Sequence, residues 1–491
     1  MPSPSVVVLG AGPAGLTAAY ELAKAGVTST VLEADDTVGG LSRTAEYKGY
    51  RFDIGGHRFF TKVTPVEELW IEILGDDLLT RPRLSRIYYN GKFFSYPLKP
   101  FNALFGLGIF ETTRCVASYG WARLFPKRPE EDFASWISNR FGKRLFEVFF
   151  KTYTEKVWGI PCSEIQAEWA AQRIKGLSLM SALKNALIGD RSASKQDTVK
   201  TLINEFLYPR HGPGMMWEKA QELVEGMGSR VLMEQAVTRV LWSEGKIDAV
   251  EAGGQAYSGE HFISSVAIRE FIESFEPAPP ENVIAAARKL KYRDFLTVAL
   301  MVRGESLFPD NWIYIHEPGV KLGRLQNFKN WSPEMVPDPA MTGLGLEYFC
   351  SEGDELWSLT DAELVELGKR EIVELGFTTA ADITDGTVVR MKKAYPVYDR
   401  DYAPALETIR EFLATLSNLQ LIGRNGMHRY NNQDHSMLTA MLAARNILGA
   451  KHDLWQVNVD EEYHEQGREI KLEDVRELDS TQPLVPRKLA E

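Results

Sequence analysis

The sequence predicts an α/β fold, in which a parallel-sheet unit is split along the chain and interleaved with an α+β region. Three observations predict it. A strand, a glycine turn, a helix and a second strand follow one another at the N-terminus. A long helical, aromatic-rich stretch then gives way to short strands from about residue 229. A strand, a glycine turn and a helix return near the C-terminus, in QLIGRNG and HRYNNQDHSMLTAMLAARNILGA. The 491 residues are roughly three times a common domain size of about 150, which leaves room for interleaved units.

Taken in order, Ser5–Leu9 (SVVVL) is a β-branched run suited to a buried strand, and GAGPAGLTAAYELAKAG continues as tight turn and helix. Thr28–Leu32 reads as the next strand and ends at Glu33, completing a βαβ unit. From about residue 65 to 200 the pattern is helical, as in EDFASWISNRFGKRLFEVFFKTYTEKVWG. Residues 229–265 and 290–350 carry strand-like runs, among them FLTVALMV, WIYIHE and LGLEYFC. Segments 1–65, 205–268 and 385–450 are therefore assigned to one discontinuous unit. Segments 66–204 and 269–384 form a helical and mixed second unit, and 451–491 a tail. That tail holds 11 acidic and 6 basic residues and reads as a solvated appendage, helical at about 460–478.

Composition removes several classes. Hydrophobic residues at 44% and charged residues at 25% are those of a globular chain, not a disordered or fibrous one. A net charge of −11 argues against a nucleic-acid partner. Cys115, Cys162 and Cys350 are far apart with no CxxC pair, so neither a disulfide framework nor a zinc site is expected, and a cytoplasmic location fits. The apolar N-terminus runs straight into a glycine motif and reads as a strand, not a signal peptide. No run approaches about 18 apolar residues, so no transmembrane segment is expected. The nearest candidate, Phe101–Phe110, reads as part of a buried helix pair, with contact to a membrane surface the most it would do.

Gly10, Gly12 and Gly15 form GxGxxG between strand and helix. The first permits the turn, the second lets the backbone approach a pyrophosphate, and the third lets helix and strand pack closely. Glu33, eighteen residues past Gly15, is placed to accept both hydroxyls of an adenosine ribose. A dinucleotide is therefore expected. Gly39, Gly40 and Arg43 continue the phosphate site, and a second pair, Gly55–Gly56, precedes His57. Two successive GG pairs resemble the glutathione-reductase-type flavoproteins of the amine-oxidase superfamily. The resemblance implies a Rossmann FAD domain in which the second pair passes beneath the flavin ring. Arg424 follows a strand near the C-terminus, and the helix after Asn432, Gln433 and Asp434 would aim its N-terminus at the cofactor, where its dipole favours an anionic reduced flavin.

A narrower resemblance is to the UDP-galactopyranose mutases, especially the longer eukaryotic type. It rests on GGHRFF, FSYPLKP, FFKTYTEKVWGIPCSEIQAEWAAQRI, IYIHEPGVKLGRLQNFKNWSP, AYPVY and GRNGMHRYNNQDHSM, in family order over roughly residues 5–450. The resemblance implies a nucleotide-sugar substrate whose diphosphate is clamped by Arg173 and Arg324. Guanidinium suits this because it is permanently charged and binds phosphate oxygens bidentately. It further places Tyr314, Tyr395 and Tyr430 as phenol donors. Tyr96, Tyr153, Thr154 and Trp158 fall on the nucleoside and sugar, and His57 and Val237 on the cofactor. It implies interconversion of pyranose and furanose sugars in cell-surface polysaccharide biosynthesis, through a sugar adduct at nitrogen-5 of the reduced flavin. NADPH or NADH would supply the electrons through the same cleft. A homo-oligomer is left open. Lys99, Pro100 and Thr154 depart from the mutase pattern at positions that concern base and sugar, so the nucleotide and hexose stay unassigned. Gly176–Asp197 reads equally as a flap over the cleft or as polar surface.

The alternative is an FAD-dependent oxidoreductase of the amine oxidase, protoporphyrinogen oxidase or desaturase type, since YPRHGPGMMWEKAQELVEGMG resembles a segment of those enzymes. There are no paired carboxylates, HExxH pattern or Ser-His-Asp signature in a supporting context, so no metal is expected.

Overall fold

The computed structural model describes residues 5–96, 98, 100–167 and 205–458. Arg173, Lys99, the Gly176–Asp197 segment and the helix expected at 460–478 lie outside them.

The N-terminal strand Val6–Leu9 is fully buried and sits at the centre of a five-stranded sheet, all of it parallel. The order is Leu419–Leu421, His261–Ser264, Val6–Leu9, Ser29–Leu32, Arg230–Leu232, so three separated stretches of chain meet in one layer. A run of β-branched residues belongs there because parallel strands are covered on both faces. The helix Pro13–Lys24 packs on the sheet between the helices Gln433–Ile447 and Gly214–Gly226. Proline opens it, and Gly12 caps it without a side chain, so no side chain satisfies its first-turn N–H groups.

A second layer is a seven-stranded sheet in the order Ile383–Pro396, Tyr292–Arg303, Met341–Cys350, Arg324–Asn327, Trp312–Ile315, Ser85–Tyr89, Lys92–Ser95. The period of two in Tyr292–Arg303 explains its burial. Leu296, Val298, Leu300 and Val302 join one apolar cluster, against which the helix Asp361–Glu374 packs. Phe295, Ala299 and Met301 point the other way, into two further clusters. That helix starts at a capping box, Thr360 with Glu363.

The structure corrects the sequence reading in three places. Residues 66–204 are not helical throughout, because Leu78–Pro82, Ser85–Tyr89 and Lys92–Ser95 are strands. The hairpin signal was available: Asn90 and Gly91 both take positive φ, the turn that Asn-Gly favours between strands. Residues 385–396 lie in the edge strand of the seven-stranded sheet, not in the unit to which the sequence assigned them. The third correction concerns Phe101–Phe110. The helices Pro100–Leu107 and Ile109–Leu124 do pair, but the outer side chains of the pair face solvent. Cys115 is the one buried residue of Ile109–Leu124, and Ser118 and Glu111 accept hydrogen bonds from Arg144 beside it. Gly142 lies so close below that a Cβ there would come within 2.7 Å of the Tyr119 backbone. A small inner face has left the apolar side chains outside. Among the described residues, no helix is long and apolar enough to cross a membrane, and no cluster of His, Cys, Asp or Glu could hold a metal ion.

Candidate active site

The site begins at the crossing of the first strand and helix. A Cβ on Gly15 would stand 1.8 Å from the Gly10 carbonyl oxygen, so only glycine permits this approach. Glu33 ends the next strand and accepts hydrogen bonds from the backbone N–H of Ala11 (2.6 Å) and Asp35 (3.0 Å). Burial raises its pKa and these bonds oppose the rise. Gly39 takes positive φ and donates to the Ala11 carbonyl, which brings Gly40 against Gly12. Arg43 is paired with Asp35 beside this turn. Val237 opens the strand that follows Gln235, whose N–H donates to the Glu33 carbonyl. These contacts tie Gly10, Gly12, Gly15, Glu33, Gly39, Gly40 and Arg43 together around one end of the strand Val6–Leu9, with Val237 two residues past Gln235.

Leu41 leads from that end into a cavity of about 440 Å³. Its wall includes Gly55, Gly56, His57, Tyr96, Tyr153, Thr154, Trp158, Tyr314, Arg324, Tyr395, Arg424, Tyr430, Asn432, Gln433 and Asp434, every one of them singled out from the sequence. Tyr395 and Tyr430 stack 5.6 Å apart, with Trp158 against both. Tyr314 meets Tyr96 at 4.6 Å and Tyr153 at 5.4 Å. Desolvation raises the pKa of three of these half-buried phenols, Tyr395 to about 12, and Tyr153 and Tyr314 well above the usual tyrosine range. They therefore keep their protons and act as neutral hydrogen-bond donors.

Three arginines line this cavity, and the two singled out from the sequence stand on different footings. Arg424 donates to the Asn431 and Ala394 carbonyls and lies under Tyr430 and Tyr395. Arg324 sits opposite Glu347 on neighbouring strands and forms an ion pair with it, while donating to the Tyr395 hydroxyl at 3.0 Å. Glu347 is wholly buried, and also accepts from Gln326 at 2.6 Å and from the Gly56 N–H. Burial works against the Arg324 charge, but the Glu347 carboxylate and nearby tyrosine oxygens outweigh it and hold the guanidinium protonated. The same carboxylate thus fixes both Arg324 and the second glycine pair. Asp53, also fully buried, accepts from the Tyr208 hydroxyl at 2.8 Å and from the His57 N–H, anchoring the same turn from below.

His57 is neutral here. Burial, reinforced by Arg424 and Arg324, pushes its pKa down to about 3. It can hydrogen-bond a ligand but does not carry a proton charge at neutral pH. Burial likewise lowers His316 to about 3 and His428 to about 4. In the unfolded chain these imidazoles titrate near 6.5, so between roughly pH 3 and 6.5 the unfolded state binds more protons. Each such histidine therefore removes about 1.4 kcal/mol of stability per pH unit as pH falls through that window. The raised carboxyls of Asp53 and Glu347 act in the opposite sense. His428→Asn isolates one imidazole: urea midpoints measured from pH 7 to 4.5 are expected to fall less steeply in the variant, by one proton. Equal slopes would refute the assignment.

Several wall residues were not found in the sequence: Arg58, Phe60, Trp312, His316, Gln326 and Trp331. Arg58 stacks about 6 Å from the Phe60 and Trp312 rings. Glu347, behind the wall, did carry a signal, as the single charge in the apolar strand GLGLEYFC.

The sequence pattern of the family described as flavin containing amine oxidoreductase matches residues 13–448. AofH of Mycobacterium tuberculosis, assigned as a flavin-containing monoamine oxidase, is 27% identical over 56% of this chain and 60% of its own. A Klebsiella pneumoniae protein assigned as a UDP-galactopyranose mutase is 28% identical over 34% of this chain and 44% of its own. The chain spans between about an eighth and three fifths of the length of the curated relatives it matches. Among solved structures, a reduced UDP-galactopyranose mutase superposes with a TM-score of 0.80 at 22% identity, covering 91% of this chain and 94% of that one. At that identity the likeness is one of fold.

Proposed function

This chain belongs to the flavin containing amine oxidoreductase family, an enzyme family whose membership implies FAD, and from that premise we propose that it interconverts the pyranose and furanose forms of a nucleotide-linked hexose. The residues present suit FAD. The Gly12–Gly40 approach leaves a backbone cradle that a side chain would fill. The side-chain amide of Gln433 and Nδ1 of His57 are buried with no protein partner and face the cavity, as donors and acceptors for a flat heterocycle. The N-terminus of the helix Gln433–Ile447 opens on the same space. When bound and reduced, this cofactor supplies the nucleophile, and NADPH or NADH supplies its electrons.

The observation that carries the reading is the set of phenols and guanidinium groups that lines the cavity together with the second glycine pair. A nucleoside diphosphate leaving the anomeric carbon gains negative charge, and Tyr314, Tyr395, Tyr430, Arg324 and Arg424 converge on one wall to receive it. Arg173 is proposed to complete the clamp. Trp158, Tyr153 and Thr154 offer an aromatic and hydroxyl surface for the base, and Tyr96 for the sugar. His57, neutral and with its Nδ1 buried, would offer the cofactor a hydrogen bond.

The Glu347 carboxylate favours a second reading. It cancels the charge of Arg324 in the resting protein, as net oxidation of an uncharged or amine substrate would require. One experiment separates the two. The dithionite-reduced protein is incubated with UDP-galactose, other UDP-hexoses, and GDP- or TDP-sugars, and the products are resolved by chromatography. An isomeric nucleotide sugar is expected. If none isomerises, while the oxidised protein bleaches on adding an amine or polyene, the oxidoreductase reading stands instead.

A further inference from the structure

We propose that the outward face of the helix Ile109–Leu124 docks on an anionic lipid bilayer. Wound at about 100° per residue, the helix gathers Val116, Ile109, Leu124, Phe110 and Trp121 into one arc of about 140°, interspersed only with Thr113, Ala117 and Gly120. Ile109 is 78% exposed, Phe110 86%, Trp121 67% and Leu124 74%; Phe125 just beyond is 62%. Among the described residues, no large apolar side chain outside Phe105–Phe125 reaches these values. A contiguous patch of this kind on an otherwise ordinary surface marks an interaction site.

The charges around the arc select the partner. Arg123 borders one edge and Arg114 the other, each about 20° beyond the last apolar residue. Lys127 and Arg128 follow the helix and are exposed, and the exposed Lys143 lies on the helix next to it. The one carboxylate of the helix, Glu111, is turned to the inner flank and engaged by Arg114 and Arg144. Residues 109–128 therefore carry four basic side chains against one acidic, in a chain of net charge −11. An apolar arc with aromatic side chains and arginines on both flanks is the pattern of a helix lying in the plane of a membrane surface. A second copy of the chain suits the face less well. Two-fold packing of the helix on itself would bring arginine-bearing edges together, and the outward arc carries no carboxylate to meet them.

The surface is independent of the reaction, yet close to the site. Cys115, on the inner side of the helix, packs in the same apolar cluster as Phe133 and Phe149, which wall the cavity. A docked protein would hold its cavity one helix layer from the bilayer.

The test is cosedimentation of the full chain with vesicles of phosphatidylcholine, alone or with one part in four phosphatidylglycerol, at low and high salt. The protein is expected to pellet with the anionic vesicles and to be released by salt. Arg114→Glu with Arg123→Glu, and separately Phe110→Ser with Trp121→Ser and Leu124→Ser, should each weaken binding roughly tenfold or more. Both sets change exposed positions, so the melting temperature should stay within error. Wild-type protein that pellets with neither vesicle overturns the proposal, whether light scattering finds single chains or an assembly that the triple variant dissociates. Binding that both variant sets retain overturns it as well.

Discussion

Arg324→Ala is expected to remove turnover and to destabilise the protein at the same time, for two separable reasons. Turnover falls because Arg324 is one of the cavity's charged donors; loss of one such donor costs about 10²–10³-fold. Stability falls because Glu347 is wholly buried and Arg324 is its ion-pair partner. Truncating one member of a buried pair leaves an unpaired charge, at a cost of about 3–5 kcal/mol. The Gly56 N–H and Gln326 would then be the remaining groups that hold the carboxylate. Arg324→Met combined with Glu347→Gln separates the two effects. The amide still accepts from Gly56 and Gln326, and no buried charge is left, so most of the lost stability should return. Activity should not. Melting temperature and kcat for the single and double variants check this. A double variant that regains turnover would show that Arg324 serves the fold alone.

That ion pair also shows where sequence reasoning stops. The βαβ unit was legible because its signals are local: a β-branched run, three glycines at fixed spacing, and an acid at the next strand's end. The cavity wall was legible for a different reason. Fifteen predicted residues from distant motifs line it together, since a resemblance spanning most of the chain carries tertiary information that periodicity does not. Three kinds of feature were not read. The hairpin Ser85–Ser95 was passed over among helices although Asn90–Gly91 announced it. The partner of Arg324 depends on strand register, which places Glu347, twenty-three positions further along the chain, directly across from it. The exposure of Ile109 and Phe110 depends on what lies under the helix, a glycine backbone and a cysteine, and no apolar pattern in the helix itself reports that.

Gly15→Ala and Gly12→Ala are expected to fail in different ways, although both lie in one motif. In Gly15→Ala the new methyl would stand 1.8 Å from the Gly10 carbonyl oxygen, which is backbone and has no rotamer to adopt. The helix Pro13–Lys24 would have to lift off the central strand. Leu16, Ala18, Ala19 and Leu22, all buried at the core of the largest apolar cluster, would be displaced with it. A loss of several kcal/mol, of about the size of severe overpacking or more, is expected. Gly12→Ala meets only the Gly40 Cα, at 3.9 Å, an ordinary van der Waals distance. The apoprotein should therefore melt close to wild type. Its methyl occupies the place where backbone must approach a pyrophosphate, so flavin content should collapse while the fold persists. The flavin-to-protein absorbance ratio and the apoprotein melting temperature, read together, check both. Normal flavin content in Gly12→Ala would mean that the phosphates pass elsewhere. A wild-type melting temperature in Gly15→Ala would mean that strand and helix are not held as closely as the structure places them.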